Sequence, residues 1–161
     1  MLPLPAYYAI LTVFVAYVFL RGGAPERWAA AILGVGSVLS TLFISARPLR
    51  FSSVESGVFA IDVLVLVAFL ILALRAERYW TLWVAALQLI GTAGHAVKLV
   101  DSHVIRLVYA FMMAFWTYPM LLCVLVGTWR HRQRLARFGA DRSWSTSSVR
   151  SAAVRKRGPT G

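Results

Sequence analysis

Four residues of this chain have the types and spacing for chemistry in an apolar setting: Asp62, Gln88, Thr92 and His95. Asp62 is the one acid well inside an apolar run. The others lie on the stretch from Tyr79 to Ser102. There Thr81, Gln88, His95 and Ser102 stand seven apart, and Thr92 falls between them at helical spacing. The stretch is apolar enough to cross a bilayer, yet polar groups recur along one side, so it needs partners inside the protein.

An ionisable group inside a membrane costs roughly 2.5–3.5 kcal/mol on insertion scales, so it faces the bundle and finds a partner. Helical rise places the candidates in depth. Asp62 is thirteen residues before Arg75, about 20 Å of helix. Thr92 is fourteen residues after Arg78, about 21 Å, and His95 seventeen, about 26 Å. The link Arg75–Arg78 is tight, so the two segments form an antiparallel pair and these groups share a level in its outer half. A hydrogen bond from Asp62 to Thr92 or His95 is expected. A carboxylate facing an imidazole can exchange a proton or hold a cation. The alternative is a polar clasp between two helices, with no titrating role.

Other chemistry finds little support. There is no P-loop, nucleophile elbow, HExxH or CxxC, so no enzyme is expected. The single cysteine, Cys123, excludes an intramolecular disulfide and a multi-cysteine metal site. Haem held by two histidines needs them on facing helices at one depth. His95 falls in a helix, His103 in an outer turn and His131 in the tail, so no pair fits; no metal or cofactor is expected. Tyr109, Met113, Trp116, Met120 and Cys123 share a side and read as packing or lipid-facing surface before a lipid or quinone pocket.

The elements that position these groups are apolar helices. Hydrophobic residues make up 60% of the 161, and only 14% are charged, against about a quarter in soluble domains. The charges cluster between long apolar runs, which predicts an all-α polytopic membrane protein of about five transmembrane helices. The expected helices are 4–20, 28–46, 53–75, 79–100 and 104–129, with 1–130 as the bundle and 131–161 as a basic, disordered tail. The first segment lacks a basic leader region and reads as a retained helix. Arg21 to Arg27 reads as a turn, stopped by two glycines and a proline. The second helix carries small residues four apart, Ala30 with Gly34 and Ser37 with Thr41. This face serves close packing within the chain, or else an oligomer contact. Ser52 and Glu55 fit a capping box ahead of the third helix. Pro119 is expected to kink the fifth. Arg130 to Arg137 can extend that helix along the membrane surface.

The net charge of +11 does not indicate nucleic acid, because nine of the seventeen basic residues follow Trp129 and the rest flank apolar runs. Arg130, Arg132, Arg134 and Arg137 are candidates to meet anionic lipid headgroups. The short turns carry equal positive charge on both sides, so the tail alone sets orientation: C-terminus cytoplasmic, N-terminus outside. Arginine far outnumbers lysine, a codon-usage hint of a GC-rich bacterial genome, so the expected location is a bacterial inner membrane. Three function classes follow, the last of them a membrane-embedded enzyme, which lacks any motif. The first is an accessory or assembly subunit of a larger membrane complex, supported by few polar groups, no large loop and the small-residue face. The second is a small proton- or cation-coupled transporter using Asp62 and His95, which at this size would have to dimerise to enclose a path.

Overall fold

The computed structural model describes residues 4–43, 56–100, 115–139, 141 and 144. Among them the chain is all helical. Five helices run α1 Leu4–Arg21, α2 Ala24–Leu42, α3 Ser56–Arg75, α4 Tyr79–Val100 and α5 Thr117–Phe138. Each packs on its chain neighbours, α1 also meets α5, and α2 touches α5 across the ring. The result is a closed five-helix ring. Its core takes side chains from every helix, including Phe14 and Val18, Ala30 and Leu33, Phe69, Val84, and Met120 with Val124.

Two helices, Leu4–Arg21 and Gly57–Arg75, are long and apolar enough to cross a membrane. Few of their residues are buried, unlike those of a soluble core helix. The other three expected crossings do not reach that grade among the described residues. Helix α2 opens on Glu26 and Arg27, α4 carries the Gln88–His95 stripe, and α5 continues into five basic residues after Trp129, His131 included; residues 44–46 and 104–114 of the expected crossings lie outside the described residues.

Two boundaries differ from the sequence expectation. The first turn shrinks to Gly22 and Gly23, because Pro25 begins α2 instead of ending α1. Proline in a first turn lacks only an N–H that would be unbonded anyway, and Glu26 there complements the helix dipole. At Pro119, in the first turn of α5, the break expected one turn earlier is present: Phe115 is helical, Trp116 is a turn and the helix starts again at Thr117; residues 104–114 lie outside the described residues. The second difference is that α5 runs through the expected tail boundary at 130 to Phe138. It stops at Gly139, whose φ of 68° is the left-handed cap that glycine favours. The capping pair Ser52 and Glu55, with Ser102, His103, Tyr109 and Met113, lies outside the described residues.

The small-residue face of α2 is used inside the chain. Ala30 is fully buried in the core. Gly34 lies at ordinary contact distance from Val15 of α1, and a Cβ on Gly36 would fall 2.8 Å from Val65 of α3. The Ser37 hydroxyl pairs with the Tyr7 hydroxyl at 2.8 Å, and the Tyr8 hydroxyl meets Ser37 O at 3.0 Å and the Thr41 hydroxyl. Tyr8→Phe removes both Tyr8 contacts. It should lower stability by about 0.5–1.5 kcal/mol, read as an earlier unfolding midpoint in mild detergent.

Candidate functional site

The polar stripe of α4 faces inward. Thr81, Gln88, Thr92 and His95 are all buried, which follows from their shared helical face. Across the seam, α3 presents Asp62. His95 Nε2 lies 2.9 Å from Asp62 Oδ2. Of the two expected partners the geometry selects His95, because the Thr92 hydroxyl donates instead to the Gln88 carbonyl one turn back, at 2.9 Å. The Gln88 side-chain amide donates to the Asp62 carbonyl at 3.2 Å, tying the same two helices again. Phe59 packs beside the imidazole, ring centroids 5.5 Å apart.

Exposure differs across the pair. The His95 side chain is 2% exposed and that of Asp62 25%. The carboxylate therefore has a route to the surroundings that the imidazole lacks. In the neutral form Nε2–H donates to the carboxylate; a second proton on the ring makes the contact an ion pair. A carboxylate facing an imidazole is the pairing that proton exchange or cation binding would use.

A second polar centre, which the sequence does not foreshadow, lies at the other end of the bundle. Asp141, two residues beyond the Gly139 cap, receives Arg78 Nη2 at 2.7 Å and Arg134 Nε at 2.9 Å, and its Oδ2 also meets His131 Nδ1. The Arg78 and Asp141 side chains are almost completely enclosed. Burial opposes ionisation of Asp141, but hydrogen bonds from Arg134, His131 and Arg78 outweigh it and hold the carboxyl below its ordinary range. His131 is therefore a buried helical residue and not part of a free tail. Arg134 is turned onto Asp141, while Arg130, Arg132 and Arg137 stay at the surface. The one signal in the sequence is that Asp141 is the single acid after Trp129, among nine bases.

Glu26 completes this end. It is fully buried at the start of α2, with neither carboxylate oxygen hydrogen-bonded among the described residues. A Cβ on Gly23 would fall 2.9 Å from Glu26 Oε2 and 2.8 Å from His131 Cε1, so the bare glycine lets the two side chains share one spot. Among the described residues, no group of three or more His, Cys, Asp or Glu side chains is placed to hold a metal ion. On the fifth-helix stripe, Met120 is in the core, and Trp116 lies 3.8 Å from where a Gly91 Cβ would stand.

These features define an all-helical chain with two helices fit to enter a membrane and a carboxylate–imidazole pair across its α3–α4 seam. No protein-family model, no curated protein and no solved structure matches it. The geometry alone carries the functional reading.

Proposed function

We propose that this chain is a small multi-pass protein of a bacterial inner membrane that couples its action to a proton or cation through Asp62 and His95. The observation that carries the reading is the 2.9 Å contact between these two side chains, one enclosed and one accessible. An ionisable pair kept in an apolar seam is costly, and use is the common reason it persists. The multi-pass reading draws on the ring's outer surface. Every helix turns large apolar side chains outward, among them Val13, Leu42, Leu64, Leu82 and Leu122. Exposed Trp28, Tyr79, Trp83 and Trp129 come from helix ends that meet at the Arg78 end, as an aromatic belt does at a membrane interface. That end carries the basic residues and is the cytoplasmic one, with the N-terminus outside.

In vesicles with a pH-sensitive dye inside, an acid step outside should drive proton entry through the wild type. Asp62→Asn keeps the shape of the side chain but cannot ionise. It should bring entry down to the rate of protein-free vesicles. Wild-type rates in that variant overturn the reading.

An accessory or assembly subunit is the second reading. It is favoured by links as short as Gly22–Gly23 and 76–78, which have no room for a folded part at those two turns. It is weakened by the fate of Ala30, Gly34, Ser37 and Thr41, whose face is spent on α1 and the core. Native mass after gentle extraction discriminates: co-purifying proteins support the subunit, and a small homo-oligomer with lipid supports the coupled device.

A further inference from the structure

We propose that Glu26, with His131 against it, is a second proton-exchange site, at the opposite end of the bundle from Asp62 and His95. The inference deepens the proton-coupled reading and rests on it for its physiological role. Its observation is independent. A carboxylate wholly removed from water, with no donor on either oxygen among the described residues, is not a stable resting arrangement for a fixed charge. Such a group is held by a proton or by a visiting cation. No described base forms an ion pair with Glu26. The basic residues nearest in sequence, Arg21 of α1 and Arg27 of α2, point outward. From α5 it faces the His131 ring, whose Nδ1 is engaged by Asp141. Arg78 of the α3–α4 link and Arg134 of α5 bind that same aspartate. None of these bases reaches Glu26 with a hydrogen bond, and the proton is the ligand with the right size and charge.

The buried polar side chains form a series between the two ends. They are His95, Thr92, Gln88 and Thr81 on α4, Thr128 and His131 on α5, and Glu26 on α2. Trp80 against Gly127 brings the Thr81 end of α4 level with Thr128. One interval is apolar. Between Gln88 and Thr81, about 10 Å of helix, the inner face carries Val84 and Ala85. A proton passing from Asp62 to Glu26 crosses that interval on transient water, and the apolar pair is what keeps the path from leaking at rest.

The test uses the full chain in lipid vesicles and two readouts. Infrared difference spectra on acidification report carboxyl groups gaining protons, whether or not flux occurs. One such band should vanish in Glu26→Gln and a different one in Asp62→Asn. Proton entry after an acid step should fall to the protein-free rate in Glu26→Gln and persist in Glu26→Asp. Gly23→Ala leaves every titratable group in place and pushes a methyl onto Glu26 Oε2 and His131; it should shift the Glu26 band and slow entry, and it decides the matter if Glu26→Gln does not fold. Loss of entry in Asp62→Asn with wild-type entry and an unchanged spectrum in Glu26→Gln overturns this site and leaves the coupled reading standing. Absence of entry in the wild type defeats the coupled reading; the Glu26 band then still decides whether the site exchanges protons, and a spectrum unaltered by Glu26→Gln overturns it.

Discussion

Replacing Asp141 with alanine should destabilise the protein by about 3–5 kcal/mol, the range for removing one partner from a buried ion pair. The reason is what remains. Arg78 is 6% exposed, and its guanidinium would lose the carboxylate 2.7 Å away. Arg134 and His131 would lose the same acceptor. The measurement is the unfolding midpoint of the variant in detergent or lipid. A double-mutant cycle with Arg78→Ala should be strongly non-additive, because the second substitution removes the charge stranded by the first.

The same carboxylate predicts a pH dependence. Asp141 binds its proton more weakly folded than unfolded, since its three donors outweigh the effect of burial. A group with a depressed folded pKa contributes stability above its unfolded value, which for aspartate is about 4. That contribution is lost as pH falls from there through the folded value. The wild type should therefore lose stability on acidification below about pH 4 more steeply than Asp141→Asn. The two curves should converge at the acid end. Parallel curves would mean that Asp141 is not charged in the folded chain.

The second large effect is expected at Gly127. A methyl there would lie 2.7 Å from both Cε2 and Nε1 of Trp80, closer than real side chains approach. The indole is rigid and packs against the core, so α4 and α5 must separate or the ring must leave its rotamer. Gly127→Ala should cost about 1–3 kcal/mol, although alanine is the better helix former. Gly91→Ala is the control on the same helix pair. Its Cβ would stand 3.8 Å from Trp116, an ordinary contact, so the variant should be neutral or slightly stabilised. Shrinking the ring in Gly127→Ala/Trp80→Leu should recover part of the loss. Because the crossing sits next to Arg78 and Asp141, Gly127→Ala should also weaken that ion pair and flatten the acid transition described above.

The α4 stripe is legible in the sequence, and so is its partner. Helical periodicity puts Thr81, Gln88, Thr92 and His95 on one face, and a fixed rise per residue converts distance from the Arg75–Arg78 link into depth. Those two rules bring Asp62 level with Thr92 and His95. They do not choose between them, because the choice turns on where the Thr92 hydroxyl bonds, and it bonds to its own helix. The small residues of α2 are legible as a packing face, but not as the seat of Tyr7 and Tyr8. Pro25 misleads a local reading. Whether proline starts or breaks a helix depends on which residue begins it, and that boundary is set by packing of the neighbouring turn.

The sequence by itself determined the helical class, the apolar character of α1 and α3, and the level at which Asp62 meets α4. These follow from backbone hydrogen bonding, composition and periodicity, which are properties of contiguous residues. Only the tertiary structure decided the other end. Read locally, Glu26 is a first-turn acid suited to the helix dipole, His131 and Arg134 belong to a basic tail, and Asp141 is one acid in it. Their burial and pairing arise because the start of α2, the α3–α4 link and the end of α5 converge, joining positions 26, 78, 131, 134 and 141. No periodicity spans such separations. The contacts exist because the closing of the ring encloses Arg78, Asp141, His131 and Glu26, and a polar group so enclosed is stable only against a partner.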